Sequence, residues 1–168
     1  MKKVFLVLLM VIFSLACESK KQERVKEVKT EFIVKIKYRV NKEDVFKLVL
    51  YNIITDENQN KWTQINEKVV GSSATKNLTA NFGESISYNF RINFGVKQEK
   101  EIEIKHIEIL YGAKRIYVKP EELKNYFTFN EFIFQDNATN KLFTKKIGGK
   151  LNPILFLKIE YLKELEGN

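Results

Sequence analysis

Cysteine, histidine and tryptophan each occur once in this 168-residue chain, as Cys17, His106 and Trp62. A single cysteine excludes an internal disulfide framework, and one cysteine with one histidine cannot supply the ligands of a usual zinc site. A serine triad would have to use His106, and the chain has no Gly-x-Ser-x-Gly elbow to present the nucleophile. Two prolines and seven glycines are too few for a collagenous or low-complexity chain. The longest apolar run, "VFLVLLMVIF" from Val4 to Phe13, falls well short of the about 20 residues that cross a bilayer core.

What is abundant points to a folded domain. The apolar fraction is 44%, with 13 Phe and 7 Tyr, enough to build a core at this length. The formal net charge is +8, and loss of Lys2 and Lys3 with a signal would leave +6. The basic residues are spread among 21 acidic ones, and the densest stretch, "ESKKQERVKEVK", carries both signs. Nucleic-acid binders concentrate Lys and Arg on one face with aromatics placed to stack, so no nucleic-acid partner is expected.

The amino terminus has the grammar of a secretory signal: basic Met1-Lys2-Lys3, the apolar run, then small residues at Ser14 and Ala16. Cleavage before Cys17 divides the chain into a signal peptide over 1–16, a charged tether over 17–30 and a domain over 31–168. "LAC" at 15–17 resembles the lipobox of bacterial lipoproteins, in which the cysteine becomes the first mature residue and carries lipid. Ser14 departs from the usual Leu of that pattern, and an ordinary signal peptidase could cut the same bond. The resemblance implies lipid attachment at Cys17, a membrane partner and a place in the bacterial cell envelope. It also explains why a secreted chain keeps one unpaired thiol. Stable anchoring needs more than one acyl chain, a requirement that a diacyl or triacyl cysteine meets.

From Glu31 the pattern turns to period two, the mark of half-buried strands. In "EFIVKIKYRV", Phe32, Val34, Ile36, Tyr38 and Val40 share a face. In "SISYNFRINF", Ile86, Tyr88, Phe90, Ile92 and Phe94 are predicted to point inward against Ser87, Asn89, Arg91 and Asn93. "DVFKLVLYNI" is more continuously apolar, as a central strand would be. "EIEIKHIEILYG" and "AKRIYVK" read as a hairpin turning at Gly112-Ala113, and "NEFIFQ" and "NPILFLKIEYL" as two further strands. One helix is predicted in "VKPEELKNYF", where Pro120 suits the first helical position. Many strands with polar turns and no βαβ alternation predict an all-β fold, an antiparallel β-sandwich of jelly-roll type with one short helix.

The order "KEDVFKLVLYN", "YNFRINFG", "EIEIKHIEILYGAKRI", "EELKNYF" resembles accessory β-sandwich domains of bacterial envelope and polysaccharide-assembly proteins, which are similar to galactose-binding-like jelly rolls. The resemblance implies the sandwich and carries no ligand set with it.

Three positions have chemical interest. The apolar phase of "EIEIKHIEIL" slips by one at Lys105-His106, so a β-bulge is expected there, with His106 at the surface. "QDNATN" around Asp136 offers oxygen atoms but lacks the dense acidic spacing of a calcium loop, and no metal or cofactor is expected. Trp62, within "TDENQNKWTQINEK", is the candidate ligand contact, either an exposed platform for a sugar ring or an indole closing one end of the sandwich. Asn58, Asn60 and Gln64 are its hydrogen-bonding neighbours in sequence. The chain is therefore expected to be a lipid-anchored, non-catalytic envelope protein that binds or assembles with a protein or a glycan. The alternative is a secreted glycoside hydrolase with two carboxylates. Most carboxylates, Asp44 among them, are expected on the solvated surface.

Overall fold

The computed structural model describes residues 30–52, 61–84 and 87–167. The signal segment, Cys17 and nearly all of the charged tether lie outside the described residues, as do Ile86, Asn58 and Asn60. No helix among the described residues is long and apolar enough to cross a membrane.

The expected antiparallel β-sandwich is present. Its strands are β1 (Phe32–Val40), β2 (Asp44–Asn52), β3 (Trp62–Val69), β4 (Ser72–Asn81), β5 (Ser87–Asn93), β6 (Glu101–Tyr111), β7 (Lys114–Val118), β8 (Phe127–Phe129), β9 (Ile133–Gln135), β10 (Leu142–Thr144) and β11 (Ile154–Leu157). Six of them form one sheet in the order β4-β1-β6-β10-β9, with β7 also on β6. The other five run β3-β2-β5-β11-β8. The second edge of β6 is divided, with β7 along Ile107–Tyr111 and β10 beside Glu101 and Ile102. The predicted hairpin forms β6 and β7, turning at Gly112, whose φ of 58° suits glycine. As its composition requires, β2 has neighbours on both sides.

The core lies between the sheets. Phe32 of β1 meets Phe90 of β5 with ring centroids 5.6 Å apart, and Tyr38 of β1 meets Phe46 of β2 at 5.4 Å. Phe46 in turn packs edge-on against Phe94 at 5.1 Å. These rings join the layers and, with Val34, Ile36, Leu48, Leu50, Ile92 and the isoleucines of β6, remove a continuous apolar interior from water.

Four strands were not evident from apolar pattern: the three-residue β8 and β10, and the longer β3 and β4. β3 turns Thr63, Ile65, Glu67 and Val69 inward, a mixed set, and β4 buries only Leu78 and Ala80. Both lie at sheet edges, where half a polar strand costs little. At the carboxyl end the predicted strand stops early. β11 ends at Leu157, and Ile159–Glu166 is a helix, α2, because Leu162 and Leu165 reach the core at helical spacing. The helix predicted at Pro120 is a 3-10 turn (Pro120–Glu122) followed by one α turn, α1 (Leu123–Tyr126), which buries Leu123.

The expected bulge in β6 is also present. Lys37 of β1 faces His106 while Tyr38 faces Ile104, which leaves Lys105 as the extra residue. A second bulge changes the reading of β5. Tyr51 of β2 faces Asn89 and Asn52 faces Ser87, so Tyr88 is the residue without an opposite. Tyr88, expected in the core, is 50% exposed, and Ser87 is buried in its place.

Candidate functional site

The outer face of the five-stranded sheet carries the candidate ligand residue. Trp62 opens β3 directly opposite Tyr51 of β2, and Tyr51 is opposite Asn89 of β5. The indole is 55% exposed, so it does not close the end of the sandwich. The β5 bulge turns Tyr88 to the same face, where its ring lies 6.0 Å from Tyr51. Arg91, one pleat further along β5, stands over the Tyr51 ring at 5.0 Å. Three aromatic rings from three strands therefore share one corner of this face.

The bulge is held from outside the sheet. The Ser87 amide and hydroxyl both donate to Glu166 Oε1 of α2, at 2.6 and 3.1 Å. A helix that the sequence pattern presented as strand thus fixes the strand that exposes Tyr88.

Beyond the aromatic corner the face is amide-rich and basic. Gln64 and Asn66 of β3 flank Val49 and Lys47 of β2, which face Arg91 and Asn93 of β5. Gln64 Nε2 donates to Asn66 Oδ1 at 2.9 Å, and Asn93 Nδ2 to Asn152 Oδ1 at 2.7 Å. Lys68 continues the row opposite Val45. From Trp62 to Lys68 the strip runs roughly 20 Å at the strand rise of about 3.4 Å per residue.

The outer face of the six-stranded sheet is different in kind. Glu108 is shared by Lys35 at 3.4 Å and Arg115 at 2.6 Å, Glu103 by Arg39 at 3.0 Å and by Lys105, and Glu101 pairs with Lys141 at 2.6 Å. His106 is half-buried there and stacked on Tyr117, centroids 5.0 Å apart, an aromatic contact on a sheet surface.

This second face holds a cleft of about 340 Å³, lined by Arg39, Asn41, Gly71, Ser72, Ser73, Glu101 and Glu103. It exists because β4 uses Ser73, Ala74 and Thr75 against the single residue Arg39 of β1 and so bows away. Arg39 Nε is buried beside it without a hydrogen-bond partner. Glu101 and Glu103 stand one pleat apart on β6, and a hydrolase would need such a pair as acid and base. Yet hydrogen bonding from Lys105 holds the Glu103 carboxyl below the usual carboxylate range, whereas a general acid needs it raised.

Asp136 organises its own turn: Oδ1 accepts from the Thr139 amide at 2.8 Å and the Thr139 hydroxyl at 2.7 Å. Asp44, expected at the surface, is instead buried at the start of β2. Its Oδ2 receives Lys100 Nζ at 2.6 Å and the Lys97 amide at 3.0 Å, and Oδ1 receives the Val45 amide at 2.8 Å. Lys100 Nζ also donates to the Phe94 carbonyl at 3.1 Å. Burial pushes the Asp44 carboxyl up, but the Lys100 ammonium and the two amides outweigh it and hold it below its ordinary value. Burial pulls Lys100 down, and Asp44 offsets only part of that. Nothing in the local sequence reports this pair, whose members are 56 positions apart.

No protein-family model matches the chain, and no curated protein or solved structure is significantly similar to it. Its class therefore rests on its own architecture: a two-sheet antiparallel β-sandwich with one ion-paired outer face and one aromatic, amide-rich outer face.

Proposed function

We propose that this protein is a lipid-anchored, non-catalytic binding module of a bacterial cell envelope, and that its ligand is a saccharide held on the outer face of the five-stranded sheet. The observation that carries the reading is the exposed aromatic corner of Trp62, Tyr51 and Tyr88 beside Gln64, Asn66 and Asn89. Sugar rings present C–H faces to aromatic rings and hydroxyls to amides, so this mixture of side chains matches a saccharide on both counts. A protein partner would more commonly require a contiguous apolar centre, which this amide-rich strip lacks. The held-down Glu103 carboxyl gives no support to the hydrolase alternative.

Anchoring rests on the sequence context of Cys17. A tether of roughly a dozen polar residues would let the sandwich face envelope polysaccharide while the acyl chains stay in the bilayer.

The test is a glycan-array screen of the full chain in detergent micelles, followed by Trp62→Ala. Removing the indole is expected to weaken retained saccharides about tenfold or more, the equivalent of about 1.4 kcal/mol. Equal retention of wild type and Trp62→Ala would assign the sugar contact elsewhere, and no retention at all would overturn the saccharide reading.

A further inference from the structure

The two outer faces of the sandwich differ in how their cations are matched. On the six-stranded sheet, Lys35, Arg39, Lys105, Arg115 and Lys141 all stand in ion pairs with Glu101, Glu103 or Glu108. On the five-stranded sheet the outward row contains Lys47, Lys68 and Arg91, and among the described residues no carboxylate pairs with any of them. The outward positions of β2, β3, β5 and β11 are otherwise amides, aromatics and aliphatics: Tyr51, Val49, Trp62, Gln64, Asn89 and Phe156 are the central ones. Glu67 of β3 points to the interior side, where burial first and then the Glu67 charge push the Tyr38 hydroxyl pKa up. The three cations of the aromatic face are therefore all without a carboxylate, whereas among the described residues of the other face three carboxylates are shared among five cations and only Lys37 of β1 stands outside an ion pair.

We infer that the ligand of this face is an anionic polysaccharide, one carrying carboxylates or sulfates, lying along the strip from the Trp62 corner toward Lys68. The inference rests on the saccharide reading above and adds the charge of the ligand to it. The physical case is complementarity. A sugar ring stacked at Trp62 brings the acidic substituents of neighbouring rings over Arg91 and Lys47, one and two pleats further along the strip. Arg91 has a planar guanidinium already oriented by the Tyr51 ring, ready for a two-point contact to a carboxylate or sulfate. Bare cations without carboxylate partners also raise the association rate of a polyanion. Single-stranded nucleic acid shares the polyanionic character, but it would need stacking rings spaced along the strip. Here three rings are gathered at one corner, and along β3 the strip continues with the amides Gln64 and Asn66, which suit hydroxyls.

The experiment compares acidic polysaccharides with the same chains stripped of charge, using the full lipid-bearing protein in detergent micelles. The probes are polygalacturonate, alginate and hyaluronan beside their carboxyl-reduced forms, a sulfated galactan beside its desulfated form, and oligo-dT. At least one acidic probe is expected to bind about tenfold or more tighter than its neutral counterpart. That preference should fall as NaCl rises from about 50 mM to about 500 mM, because exposed cations are screened. It should fall again in Arg91→Gln and Lys47→Gln, while Lys37→Gln on the opposite face leaves it unchanged. Equal binding of an acidic probe and its neutral form, with loss in Trp62→Ala, would overturn the charge assignment and leave the saccharide reading standing. Tighter binding of oligo-dT than of every polysaccharide would overturn it in favour of nucleic acid. Absence of binding to acidic and neutral probes alike would overturn both readings.

Discussion

At the scale of single residues, the most consequential pair is Asp44 and Lys100. Both side chains are essentially inaccessible to water, and each satisfies the other's charge with the help of backbone groups. Removing one partner leaves an uncompensated charge in the interior, which typically costs about 3–5 kcal/mol. Asp44→Asn and Lys100→Met should each show that loss in urea unfolding, and the double variant with Asp44→Leu and Lys100→Met should recover a large part of it. The same pair sets acid stability. The folded carboxyl titrates below its ordinary value of 3.8, so the unfolded chain takes up the proton first as pH falls. Its contribution is complete above that value and is lost as pH drops through the folded pKa. Unfolding free energy measured from pH 6 down to about 2 should fall steeply in the wild type, and less steeply in Asp44→Asn. Gly95 belongs to this network as well. Its φ is 85°, and a Cβ there would overlap the Asp44 carboxylate. Gly95→Ala is therefore expected to lower the melting temperature by several degrees, on the order of a 1–3 kcal/mol loss.

At the scale of elements, bulges and edges decide what the strand pattern means. The alternation in β1 and β6 was legible because each strand buries one face, and the slip at Lys105-His106 announced its bulge directly. In β5 the alternation Ile86, Tyr88, Phe90 continued without a slip, so nothing in the string marked the bulge at Tyr88. What selects it is Glu166, which binds Ser87 from α2. β3 and β4 were illegible for another reason: edge strands with few inward apolar residues have no period to read. These observations make Glu166 a positioning residue for the aromatic corner. Glu166→Ala should weaken saccharide binding several-fold while costing only about 1–2 kcal/mol of stability. Glu166→Gln, which keeps an acceptor oxygen, should restore binding, and a purely structural role would not separate the two variants by affinity.

At the scale of the whole molecule, the sandwich is a two-sided object. One side is closed by its own ion pairs, and the other presents rings, amides and unpaired cations. If Cys17 carries lipid, the wild type should enter the detergent phase on phase partition and incorporate labelled palmitate, whereas Cys17→Ala should stay in the aqueous phase without label. Equal partition of the two would remove the anchor and leave the binding face as it is.

The amino-acid sequence by itself determined the class of fold, the hairpin at Gly112, the inward faces of β1 and β6 and the signal-like context of Cys17. Each of these is written in neighbouring residues, because hydrophobic period and turn chemistry are local. It also marked Trp62 as a residue of interest without deciding between platform and plug. Tertiary structure alone decided that its indole is exposed. Strand register sets Trp62 beside Tyr51, a bulge braced by α2 adds Tyr88, and a contact across 56 positions buries Asp44 against Lys100. Pairings of this kind depend on which strands become neighbours, and no period along a single strand carries that information.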